Sequence, residues 1–108
     1  MGVFGNNTET THSADMKILK HSKVRLITFQ GLSNPPFDID ACDNYWNLIG
    51  QCGTVIDNEL DDKEKVLVLF DEDLDNYQLA NHNPIKNSLI IKTKDLEIVI
   101  WIGNFVIV

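Results

Sequence analysis

The chain has 108 residues, 44% of them hydrophobic and 23% charged, with nine basic against sixteen acidic residues for a net charge of −7. That is one domain's worth of globular sequence, large enough to bury a core without metal or disulfide staples. The acidic balance argues against a chain built to neutralise nucleic-acid phosphate, which draws its affinity from Lys and Arg. No apolar run reaches the roughly 18 residues of a spanning helix, and the polar start lacks a basic-then-apolar leader pattern. Cys42 and Cys52 are too few for a disulfide framework or a zinc site. The expectation is a cytoplasmic domain without a cofactor.

Taken in order, residues 1–15 are small, polar and aperiodic, a disordered lead-in or tag that carries no functional weight. Met16-Lys17-Ile18 would serve as a start, and residues 16–108 form a single domain. Residues 23–29 mix β-branched and aromatic side chains as a half-buried strand does. Gly31, Asn34, Pro35 and Pro36 then forbid regular structure, because consecutive prolines lack donors and hold the chain extended. Residues 38–48 suit a short helical turn with Asp40 or Asp43 as its cap.

Further strands are expected at 53–57, 65–70, 88–92 and 97–102, with residues 65–70 the most apolar and central. Acidic residues 58–64 form a loop, as do 71–84, and residues 93–96 suit one tight helical turn. Gly103-Asn104 fits a two-residue hairpin turn between residues 98–102 and 105–108. Five or six short strands with hardly any helix predict a mainly β fold, a small antiparallel barrel or sandwich. Val24, Val55, Val66, Val68, Leu89 and Ile98 are its expected core.

Two stretches carry a resemblance. Gly50-Gln51-Cys52-Gly53-Thr54-Val55 is similar to the Gly-x-x-Gly-x-Val turn of KOW-type barrels, and residues 88–98 look like the strand, turn, strand ending of SH3-like barrels. The resemblance implies an SH3-like antiparallel barrel, here with a C-terminal β-hairpin extension; Gly53 is expected to be required for folding, through a positive φ if it occupies the turn into the second strand. Tyr45-Trp46-Asn47-Leu48-Ile49-Gly50 and His82-Asn83-Pro84 also resemble small uncharacterised bacterial proteins of this layout.

Charge is concentrated. Residues 38–75 hold twelve acids against Lys63 and Lys65, a net of −10, while residues 16–37 carry four bases and no acid. Such asymmetry steers a basic partner toward one side of a small domain; the competing reading is that these acids sit in solvated loops and keep the protein soluble. Tyr45 and Trp46, flanked by Asp38, Asp40 and Asp43, read as an aromatic anchor for it, with core packing the competing role. Asp71, Asp73 and His82 complete the expected partner-binding set, and the Asn81-His82-Asn83-Pro84 run reads as a loop staple.

No catalytic or metal site emerges. Residues 71–76 open like a calcium loop, but Asn76 stands where the loop needs Gly and His82 where it needs Glu. Cys42 or Cys52 with His82 lacks a nameable oxyanion donor or orienting group. The expected function is therefore a non-catalytic, acidic protein-binding module. An immunity or inhibitor protein that neutralises a basic toxin is its sharpest form. The alternative is a KOW-like barrel acting on RNA, the ribosome or the transcription machinery. The segment from Ile98 to Val108 is apolar on both faces, which suggests a homodimer.

Overall fold

The computed structural model describes residues 18–102 and 105–107. The expected lead-in and the Gly103-Asn104 turn lie outside the described residues. Seven strands follow in order: β1 (Lys23–Leu26), β2 (Cys52–Asp57), β3 (Lys65–Phe70), β4 (Ser88–Lys92), β5 (Leu96–Ile98), β6 (Ile100–Ile102) and β7 (Phe105–Ile107). The only helical pieces among the described residues are short 3₁₀ turns at Ala41–Asp43, Tyr45–Leu48, Leu74–Tyr77 and Thr93–Asp95. The all-β class is as expected.

The first five strands make one antiparallel sheet in the order β4-β3-β2-β1-β5, and β6 pairs with β7 in a separate two-stranded sheet. The expected strand at 97–102 is thus two strands, broken at the buried Val99. Strands β4 and β5 form opposite edges, yet only Thr93–Asp95 connects them. Laid flat, four strand spacings would separate those edges by about 19 Å, whereas a turn of this length advances about 8 Å. The sheet must coil on itself for the chain to make that step. Ile56, an extra residue in β2 opposite β3, adds local twist in the same sense.

Coiling gives the sheet an inside. Alternate residues of β1 to β5 face it: Val24 and Leu26, Val55, Val66, Val68 and Phe70, Leu89 and Ile91, and Leu96, all nearly or fully buried. The expected core residues are among them, except that Ile98 is half-buried and packs against the cluster from its margin.

Gly53 departs from expectation. It sits inside β2 opposite Phe70, without a positive φ. A Cβ there would lie 2.6 Å from the Leu69 carbonyl oxygen and 2.7 Å from Val68 Cγ1, so glycine is needed for close strand approach. Gly50, at φ +95°, is the residue that turns the chain.

Candidate protein-binding face

The connection between β1 and β2 opens with a tight turn. Phe29 and Leu32 exchange two backbone hydrogen bonds, while Gln30 and Gly31 between them both adopt positive φ, as a type I′ turn requires. Asp95, only 2% exposed, holds this turn from the 3₁₀ piece before β5. Its carboxylate accepts the Thr28 hydroxyl and the N–H groups of Gln30 and Gly31, the latter two at 3.0 Å. Its backbone carbonyl takes the Ile27 N–H at 2.8 Å. A buried carboxylate is tolerable only with such partners. Here its work is structural.

Beyond the turn, Pro35-Pro36 carries the chain to Phe37, which is 94% exposed, and to Asp38 at φ +66°. Asp38 and Asp40 are exposed and make no ion pair within the described residues. Asp40 does precede the turn Ala41–Asp43, but its side chain makes no cap hydrogen bond. Asp43 caps neither turn: the second begins at Asn44.

Tyr45 and Trp46 face the other way. Each is 7% exposed, which corrects their assignment as a surface anchor. The 3₁₀ turn Tyr45–Leu48 points Tyr45, Trp46 and Leu48 inward. Phe29 meets the Trp46 ring edge-on at 4.9 Å between centroids and the Tyr45 ring at 5.6 Å. The Tyr45 hydroxyl donates to the Ala80 carbonyl at 2.7 Å. Burial foremost, then the nearby Asp43 and Cys42, raises the Tyr45 pKa above its ordinary value.

The connection between β3 and β4 packs alongside. Ala80 N–H donates to the Cys42 carbonyl at 2.9 Å, and His82 Nε2 lies 3.6 Å from Asp43 Oδ1. The loop is stapled as its asparagines suggested: Asn81 Oδ1 accepts the Asn87 N–H, and Asn83 Nδ2 donates to the Ser88 carbonyl. Asp73 accepts the Asp75 N–H at the head of the turn Leu74–Tyr77. Lys86 pairs with Asp75 at 3.0 Å and Asp73 at 3.7 Å, and the Asp75 hydrogen bond above all raises its pKa. Asp71 pairs with Lys23.

The eight expected partner-binding residues therefore fall into separate groups. Asp43 and His82 meet beside the buried Tyr45, with Trp46 also interior. Asp71 and Asp73 are engaged by lysines of the same chain. Asp38 and Asp40 stand in the open beside Phe37. Phe37 is not in the expected partner-binding set, which took its aromatic residues from the Tyr45-Trp46 pair. The signal was present in the residues before it, since two prolines cannot enter the turn that buries Tyr45 and Trp46.

Among the described residues no group of three or more His, Cys, Asp or Glu side chains could hold a metal ion. Cys42 is exposed and Cys52 half-buried, each a free thiol. No helix among the described residues is long and apolar enough to cross a membrane. Compared with protein-family models, curated proteins and solved structures, the chain finds no match.

Proposed function

We propose that this chain is a non-catalytic protein-binding module of SH3-like strand order that engages a basic protein through residues 37–43. One observation carries the reading: a phenylalanine 94% exposed, preceded by Pro35-Pro36 and followed by the carboxylates of Asp38 and Asp40, which pair with no cation among the described residues. A large ring held in water is a ready source of contact affinity once a pocket covers it. Carboxylates around it act at longer range, raising the encounter rate with a positive surface and rejecting a negative one. An immunity or inhibitor role fits, in which the partner is a basic toxin whose own substrate is a polyanion.

The test places a photo-crosslinking amino acid at position 37 and, as control, at Glu59 on the β2–β3 connection. The reading expects one saturable adduct from position 37 alone, with a basic protein that then binds the purified chain. Asp38→Asn with Asp40→Asn should slow that association and flatten its salt dependence. A partner indifferent to Phe37→Ser and to both carboxylates overturns the assignment. Affinity for random-sequence RNA that falls steeply with salt would instead favour the KOW-like alternative.

A further inference from the structure

The open edge of the main sheet offers a second surface, opposite in charge to the first. Strand β4 pairs with β3 on one side only. Its hydrogen-bond phase is fixed at both ends, where Phe70 N–H donates to the Asn87 carbonyl and Thr93 N–H to the Glu64 carbonyl. Antiparallel alternation then turns Leu89 and Ile91 toward β3 and leaves Ser88, Ile90 and Lys92 facing outward. Ser88 is already covered: its N–H reaches the Ile85 carbonyl and its own carbonyl accepts Asn83 Nδ2. The carbonyl of Lys92 enters the following 3₁₀ turn. Remaining without a partner among the described residues are the N–H and C=O of Ile90 and the N–H of Lys92.

The side chains beside that gap carry a definite pattern. On the outer face Leu67 stands opposite Ile90, which is 47% exposed, and Lys65 stands opposite Lys92. Two like charges directly across a ladder repel each other. Lys65 has only Asp62, at 3.7 Å, and Lys92 has no ion pair within the described residues. A strand laid against β4 would put one residue beside Ile90 and, two positions along, another beside Lys92. Charge complementarity specifies that second residue as a carboxylate, and the apolar row specifies the first as aliphatic.

We propose that the β4 edge binds an extended segment of a partner protein by strand addition, its aliphatic side chain beside Ile90 and its Asp or Glu beside Lys92. This surface is independent of residues 37–43 and selects the opposite charge. The occupied edge gains main-chain hydrogen bonds for affinity and two side-chain positions for selectivity. With so few free backbone groups the binding is weak and suited to a short linear segment.

The test uses the full chain, labelled with ¹⁵N, and a capped nonapeptide probe, Thr-Thr-Thr-Glu-Thr-Val-Thr-Thr-Thr. A probe with Lys in place of Glu is the control. The proposal expects amide shifts centred on Ile90 and Lys92, extending to Leu67 and Lys65, and at least fivefold weaker response to the Lys probe. Lys92→Glu should reverse that preference, and because Lys92 is exposed the variant folds. Ile90→Pro, which removes the edge N–H, should abolish binding. Equal response to both probes, or shifts centred on residues 37–43, overturns the proposal. So do concentration-dependent shifts without peptide, which would mean that a second copy occupies the edge.

Discussion

Between β1 and β2 the chain leaves Phe37 94% exposed and then buries Tyr45 and Trp46 to 7% exposure each. All three are large rings in one acidic connection, so composition does not separate them. Backbone chemistry does. Residues 45–48 can coil into a 3₁₀ turn, closed by Ile49 N–H on the Trp46 carbonyl and fastened by the Tyr45 hydroxyl on Ala80. Pro35 and Pro36 supply no N–H for any such turn, and the ring that follows them stays in water. One half of the connection is part of the core, and the other is free to serve a partner.

The sharpest way to break this comparison is Trp46→Ala. Removing a buried indole should cost about 3–5 kcal/mol in chemical denaturation. A loss below about 1 kcal/mol would mean that the ring packs against nothing essential, and the two halves would then be alike.

Asp95→Ala tests whether the connection is held at its root. The substitution strands the Thr28 hydroxyl and the N–H groups of Gln30 and Gly31, for an expected loss of about 2–4 kcal/mol. Amide exchange at Gln30 and Gly31 should accelerate in step. Unchanged protection at both would show that the turn stands without its carboxylate.

Glycines 50 and 53 extend the contrast beyond aromatic residues. Gly53→Ala should cost about 1–3 kcal/mol, because the new methyl meets the Leu69 carbonyl and the strands must part. Gly50→Ala meets no atom within 4 Å, and its penalty of about 1 kcal/mol comes from φ +95° alone. Equal losses, or a neutral Gly53→Ala, would remove close strand approach as the reason for Gly53.

What the residues disclosed in advance follows the same physics. The apolar, β-branched runs in Lys65–Phe70 and Ser88–Lys92 are local signals, and both strands occur at the expected bounds. Thr93–Asp95 was legible as a tight turn, but not as the short link between the ends of the two edge strands. That requires knowing the strand order, which rests on pairings between distant residues. The buried role of Asp95 was hidden for the same reason, since its donors lie more than sixty positions away. The acidic tract is not one belt: it divides into Asx-type turns at Asp57, Asp62 and Asp73, internal ion pairs, and a few open carboxylates.

The smallest expected effect on stability is also the most informative. Phe37→Ser, alone or with Asp38→Asn and Asp40→Asn, should change folding free energy by no more than about 0.5 kcal/mol, the usual range for exposed positions. The ring covers no apolar neighbour and the two carboxylates hold no cation among the described residues, so little is lost on removing them. Any selective value of these side chains then lies outside the folded chain itself. Against a basic partner the two substitutions should separate: loss of the ring speeds dissociation, because contact area goes, while loss of charge slows association, because only the long-range field changes. Trp46→Ala should do neither beyond its cost in folded fraction. A Phe37→Ser protein with a clearly lowered melting temperature would reverse the argument, since the ring would then be serving the fold.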